Sequence, residues 1–116
     1  MISQYWVDQI PARPIIIDVK DSNGNAANLS GYTNISAYLI NERNHEVDIT
    51  GYTLDTSNKV NGRLAFGFPT TKTVFTDPGD YMLQIEFKTV TNGVTTALDY
   101  TNAHQIVVKA LGGVYR

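Results

Sequence analysis

The stretch that decides the fold is Asp77–Tyr100, which reads DPGDYMLQIEFKTVTNGVTTALDY. Asp77-Pro-Gly-Asp80 is a strong turn signal, and the residues after it alternate between apolar and polar side chains, the period of a half-buried strand. Asn92-Gly93 then stands between two β-rich runs, which is the clearest sequence signal for a β-hairpin. The stretch therefore predicts two antiparallel strands, Tyr81–Val90 and Val94–Tyr100.

Composition extends this pattern to the whole chain. Val, Ile and Thr make up 33 of the 116 residues, and seven Tyr and four Phe add to a set that favours strands. No ten-residue stretch has a helical period, and Gly51–Asn58 is predicted to be irregular. The other predicted strands are Ser3–Gln9, Ile15–Lys20, Asn34–Asn41, Glu46–Thr50, Arg63–Phe68 and Gln105–Ala110. We predict one all-β domain over residues 1–116, with about 7–9 short strands.

The segment Asp77-Pro-Gly-Asp-Tyr81 is similar to the tyrosine corner of immunoglobulin-like sandwiches, in which a tyrosine near the start of strand F bonds back to the backbone. It predicts an immunoglobulin-like antiparallel β-sandwich with Tyr81 as a structural residue. An ordinary turn before a strand-facing tyrosine is the alternative. In the immunoglobulin-like arrangement, Leu83 would be faced by Leu39 or Ala37 from strand B. The predicted core consists of Ile35, Leu39, Leu64, Phe66, Leu83, Ile85, Phe87, Ile106 and Val108.

Two local patterns leave alternatives open. The triplet Ile15–Ile17, which follows the Pro11–Pro14 break, is either buried on both faces or lies where a strand crosses from one sheet to the other. The segment Leu29-Ser-Gly-Tyr-Thr33 is echoed by Ile49-Thr-Gly-Tyr-Thr53. The same corner chemistry used twice explains this echo better than a duplication, because no longer similarity surrounds it.

Charge and cysteine content exclude several classes of protein. The net charge is −2 with 17% charged residues, so no basic stripe is available for nucleic acid. No apolar run is long enough to span a membrane, and the N-terminus lacks the regions of a signal peptide. The absence of cysteine removes disulfides, cysteine zinc sites and thiol catalysis.

Residues that could support catalysis or bind metal are few and scattered. The two histidines, His45 and His104, lack metal-ligand spacing. The turn Asp21–Asn25 has its glycine in the wrong place for a calcium loop. A glycosidase-like pair among Asp77, Asp80 and Asp99 would need two acids across a cleft, and capping and solvation explain them more simply. We therefore predict no enzyme activity and no catalytic, cofactor or metal residues.

The chain ends have large apolar side chains that suggest contacts with other subunits. Tyr5 and Trp6 precede the proline break, and Val114 and Tyr115 follow Gly112-Gly113. Apolar ends outside the core strands would be exposed unless a partner covers them. These four residues are the predicted interface of a homo-oligomer. The alternative is that Gln4–Asp8 is the first strand of the same domain and that Trp6 plugs its open end.

From about Ile15 to Val108 the order of motifs resembles the immunoglobulin-like N-terminal domain of baseplate upper proteins from phages of Gram-positive bacteria. The matching segments are DSNGN (21–25), NLSG (28–31), NGRLAFGF (61–68), PGDYMLQIEF (78–87) and QIVVK (105–109). Larger members of that family continue into a stalk that holds receptor-binding proteins, whereas this chain stops at Arg116.

The resemblance implies a non-enzymatic structural subunit of a virion, in the tail, baseplate or capsid decoration. Such a subunit assembles with other virion proteins in the host cytoplasm. The rival hypothesis is a carbohydrate- or surface-binding module of a bacterial surface protein, with Tyr38 and Tyr100 stacking on sugars, so a host glycan is a second candidate partner. A third class, an accessory domain of a hydrolase, predicts a longer parent chain.

Overall fold

The computed structural model describes residues 2–110, which form eight β-strands and one turn of 3₁₀ helix, Lys59–Asn61. The strands are β1 (Ile2–Trp6), β2 (Ile15–Asp18), β3 (Asn34–Asn41), β4 (Glu46–Val47), β5 (Thr53–Asp55), β6 (Arg63–Gly67), β7 (Gly79–Thr91) and β8 (Val94–Lys109). The prediction of an all-β fold is confirmed. Within this range no helix has the length and apolar character needed to cross a membrane.

The strands form two sheets. A five-stranded sheet has the order β1-β8-β7-β3-β4, and a three-stranded sheet has the order β2-β6-β5. Only β1 and β8 pair in parallel; the other neighbours in both sheets are antiparallel. The segment Pro11–Pro14 connects β1 in the five-stranded sheet to β2 in the three-stranded one, so the chain changes sheets where proline interrupts strand pairing.

The two longest strands, β7 with 13 residues and β8 with 16, form a hairpin. Its turn has positive φ at both central residues, 51° at Asn92 and 77° at Gly93, as a type I′ turn requires. The prediction of two separate, short final strands is wrong, because β8 is continuous over 16 residues. Thr96 and Ala103 have no partner on β7 and form β-bulges. Each bulge shifts the pairing register by one residue, and the two strands stay paired on both sides of it.

One apolar cluster joins the inner faces of both sheets. It includes Ile15 and Ile17 from β2, Leu64 and Phe66 from β6, and Leu39, Leu83, Ile85 and Ile106 from the larger sheet. Every predicted core residue is buried except Ile35, which is half-buried and packs against the cluster. The predicted core lacks Phe68, Val74 and Phe75, which are buried in the connection between β6 and β7.

Several local predictions need correction. Neither reading of the isoleucine triplet holds, because Ile15 and Ile17 point inward while Ile16 is 49% exposed within one ordinary strand. Residues 51–58 are not wholly irregular, since β5 pairs with β6 there. The segment before the prolines does not lie outside the core strands, because β1 extends the five-stranded sheet along β8.

The expected partner of Leu83 is also different. Leu39 and Ala37 lie on β3, which is the neighbour of β7 in the same sheet, and Leu39 is the direct cross-strand partner of Leu83. They therefore do not face Leu83 from the opposite sheet. Eight consecutive antiparallel pairs between β3 and β7 fix this arrangement.

The two echoed segments fold alike. The Asn28 and Asp48 side chains each accept hydrogen bonds from the backbone N–H and the hydroxyl of the residue two positions later, Ser30 or Thr50. Each segment then makes a turn in which the tyrosine N–H donates to the carbonyl of Leu29 or Ile49. Both of these aliphatic side chains are buried. The repeat is thus a turn motif that anchors one apolar residue in the core.

Gly62 occupies a position that no larger residue should tolerate. Its φ is +73°, and an added Cβ would lie 2.6 Å from the Val19 carbonyl oxygen and 2.7 Å from that of Ala27. We expect Gly62→Ala to lower the free energy of unfolding by about 3 kcal/mol or more in a urea titration, because steric overlap adds to the left-handed backbone.

Gly24→Ala is the matched control. Gly24 also has a positive φ, +81°, but nothing lies within 4 Å of its added Cβ. Gly24→Ala should lower the free energy of unfolding by only about 1 kcal/mol. Equal losses for the two variants would contradict a steric role for Gly62.

Candidate functional site

The solvent side of the five-stranded sheet presents two tyrosines around a carboxylate. Cross-strand register places Tyr38 opposite Gln84 and Tyr100 opposite Glu86. Because side chains alternate along β7, Gln84 and Glu86 project away from the core to which Leu83, Ile85 and Phe87 belong. We call the surface formed by Tyr38, Gln84, Glu86, Tyr100 and Asn102 the tyrosine face.

Glu86 is buried although it belongs to the solvent side of the sheet. The residue is only 7% exposed, and Lys88 Nζ lies 3.5 Å from its Oε1. The neighbouring Glu86 carboxylate raises the pKa of the Tyr100 phenol. Burial raises the pKa of the Tyr38 phenol, and the negative charge of Glu86 adds to this effect. The two tyrosines and the lysine thus surround one carboxylate.

Amide side chains continue the tyrosine face toward the far end of the sheet. Gln84 Nε2 donates a hydrogen bond of 2.9 Å to Asn102 Oδ1. Beyond this pair is a shallow depression of about 250 Å³, whose lining includes Gln105, Ile40 and Met82. The surface therefore combines two aromatic rings, one carboxylate and several amides.

A second surface is the projecting end of the β7–β8 hairpin. Pairing of β3 with β7 ends at Lys88, and β1 pairs with β8 only from Gln105 onward. Residues 90–98, which we call the arm, form sheet pairs only within the β7–β8 hairpin, and residues 91–98 are all exposed. The arm has no charged residue, and Val94 and Leu98 are 61% and 49% exposed.

The predicted interface residues have different roles. Tyr5 is half-buried in its own chain, with its ring stacked on Phe75 at 5.4 Å and edge-on to Phe68 at 5.5 Å. Trp6, the next residue along β1, is 45% exposed. Val114 and Tyr115 lie outside the described residues. At this end of the domain Trp6 is the residue available for contacts, while Tyr5 belongs to the core.

The tyrosine predicted as a structural residue makes a short backbone contact. Tyr81 Oη donates a hydrogen bond of 2.7 Å to the carbonyl of Asp77, four residues upstream. Tyr81 is only 5% exposed, and burial raises the pKa of its phenol. The bond closes the turn that leads into β7.

The candidate acids and histidines do not form one cluster, although Asp77 and Asp80 line the same cavity. Asp21 accepts backbone hydrogen bonds within its own turn, and Asp99 accepts a hydrogen bond from Tyr32. Asp77 and Asp80 line a surface cavity of about 390 Å³ at the start of β7. Within residues 2–110 no group of three or more His, Cys, Asp or Glu side chains could hold a metal ion.

The comparisons with known proteins add no relative. No protein-family model matches this chain, and neither a curated protein nor a solved structure matches it significantly.

His104 should make stability depend on pH. It is 5% exposed within β8, its Nε2 lies 2.8 Å from Ser3 Oγ, and burial lowers its pKa below the ordinary 6.5. Just below pH 6.5 the His104 imidazole therefore binds a proton more readily in the unfolded chain than in the folded chain. The contribution of neutral His104 is present above that pH and is lost as the pH falls toward its folded-state pKa.

We expect the free energy of unfolding of His104→Gln to fall less steeply below pH 6.5 than that of the parent, measured by urea titrations across pH 5 to 7. His45→Gln is the control, because His45 is exposed in the turn between β3 and β4. Parallel pH profiles for the parent and His104→Gln would show that this imidazole does not couple folding to protons.

Proposed function

We propose that this protein is a non-enzymatic structural subunit of a bacteriophage particle, in the tail, the baseplate or a capsid decoration. In this role it would assemble with further copies of itself and with other virion proteins. The observation that carries the proposal is the arm, an uncharged two-stranded projection with exposed Val94 and Leu98.

The arm is suited to contacts between subunits. An isolated two-stranded hairpin is marginally stable in water, so packing on another surface would stabilise it. Exposed strand edges in solitary proteins are usually protected by charged residues or proline, and residues 90–98 contain neither. A second copy of the chain, or a neighbouring virion protein, would bury the arm and complete its hydrogen bonds.

Trp6 supports a second contact at the opposite end of β8. It is exposed on the edge strand β1, where it pairs with Lys109, the last residue of β8. A large exposed aromatic side chain on a sheet edge is a common anchor in protein interfaces. With the arm at one end of the hairpin and Trp6 at the other, each subunit has two separate contact regions, as rings and extended assemblies need.

The phage assignment draws on the order of motifs from Ile15 to Val108 and its resemblance to baseplate upper proteins. As part of it, we propose that the two sheets form an immunoglobulin-like sandwich. The strand order, a parallel first strand at the edge and the Tyr81–Asp77 hydrogen bond support this. Assembly of such a subunit takes place in the host cytoplasm.

The arm can be tested by making its apolar side chains polar without changing strand propensity. We expect Val94→Thr/Leu98→Thr to lower the mass of the assembly measured by light scattering, with an unchanged melting temperature, because neither residue packs in the core. The control is Ile16→Thr/Val60→Thr, which changes two residues of similar exposure, 49% and 54%, on other surfaces. A parent that is monomeric, or an unchanged mass for the arm variant, would refute assembly through the arm.

The virion assignment makes a separate prediction. In lysates of the cells that produce this protein, an antibody against it should detect it in the density-gradient band that contains phage particles. A soluble cytoplasmic protein of the same cells is the control for trapping. Recovery in the cell-wall or soluble fractions alone would contradict the assignment and favour the surface-protein hypothesis.

A further inference from the structure

We propose that the tyrosine face binds a neutral oligosaccharide that lies across β3, β7 and β8. This inference goes beyond the structural role and concerns a different surface from the arm. The strand register places Tyr38 on β3 and Tyr100 on β8, on either side of Glu86 on β7.

The chemistry of the surface matches that of a sugar chain. Pyranose rings present C–H patches together with hydroxyl groups, and the hydroxyls can both donate and accept hydrogen bonds. The aromatic rings of Tyr38 and Tyr100 offer apolar faces with a polar tip. Glu86 accepts hydrogen bonds, while the Gln84 and Asn102 amides can donate and accept them. A ligand site usually combines apolar contact area with a few fixed polar groups of this kind.

The burial of Glu86 indicates a built site rather than an ordinary solvated surface. A charged residue on the outer face of a sheet normally extends into water. Glu86 is instead 7% exposed, and Lys88 Nζ lies 3.5 Å from its Oε1. Partners that fix a carboxylate before the ligand arrives reduce the ordering needed on binding.

The spacing favours a chain of sugars over a single one. Tyr38 and Tyr100 are two strands and two residues apart, which corresponds to roughly 12 Å between their Cα atoms for ordinary strand spacing. The depression beside Gln84 and Asn102 lengthens the surface further. One hexose is narrower than this Cα separation and would not extend to the depression, so an oligosaccharide is the ligand that uses the whole face.

Charge favours a neutral ligand. Lys88 compensates Glu86, and Glu46 is close enough to affect the Tyr38 phenol. No excess of positive charge is therefore present among these side chains to attract a sulfated or uronic sugar.

The test uses the 116-residue protein titrated with maltohexaose, cellohexaose and chitohexaose, followed by calorimetry and by NMR shifts. We expect saturable binding of at least one of these neutral hexasaccharides, and weaker binding of its monosaccharide. Tyr38→Ala and Tyr100→Ala should each weaken binding by about tenfold or more. Tyr100→Phe should retain most of it because the ring remains, and Ile16→Ala, on the other sheet, should leave it unchanged.

Four results would overturn the inference. The first is no binding of any neutral hexasaccharide up to about 10 mM, and the second is equal affinity of the parent and both alanine variants. The third is a preference for oligogalacturonate. The fourth is a fall in assembly mass caused by Tyr100→Ala. The last would identify the face as a contact between copies of the chain. Melting curves for each variant separate loss of binding from loss of folding. Because the arm is unaltered in these variants, a negative result here leaves the assembly proposal standing.

Discussion

The register of β7 between β3 and β8 is the constraint on which the rest of the structure depends. Eight consecutive pairs with β3 and the type I′ turn at Asn92-Gly93 fix this register from both sides. With a period of two, a shift by one residue would turn Leu83 and Ile85 toward water and Glu86 toward the core. The same alignment that closes the apolar cluster therefore also places Glu86 between Tyr38 and Tyr100.

Local sequence predicted the parts of the fold that local rules determine. The alternation of Tyr81–Val90 and the Asn-Gly turn were sufficient for the hairpin, since both signals lie within a few residues. The sequence predicts a break in β8 between Tyr100 and Gln105 because the bulge at Ala103 shifts the alternation there. β5 has only three residues, so its pairing with β6 defines it more than its composition does. Phe75 was missed because it is buried in a connection, where no periodicity marks an inward side chain.

The candidate site was less accessible to sequence analysis for the same physical reason. The sequence identifies Tyr38 and Tyr100 as aromatic side chains that could be exposed. Their placement around Glu86 depends on the register of β3, β7 and β8, which the sequence does not show. Glu86 lies on the polar side of β7, as the alternation predicts, but no local signal predicts its burial by neighbouring strands. Tyr5 and Trp6 are both predicted as interface residues because in the sequence they lie outside the alternating core strands, and no local signal indicates the parallel pairing of β1 with β8, which joins opposite ends of the chain. That alignment turns one side chain inward and leaves the other outside.

A single hairpin thus contributes to three different surfaces, and these are under different physical demands. Its inner face forms part of the core, so apolar side chains there are required for folding. Its outer face near Glu86 holds a charge at low exposure, which costs stability unless the carboxylate is partnered. Its arm makes no sheet pair with β3 and contributes no residue to the core cluster. Folding therefore places little constraint on residues 90–98. In a solitary protein, charged residues or proline in the arm would protect its strand edges from pairing with other chains. Their absence from the arm is more simply explained by a partner that covers it than by any requirement of the fold.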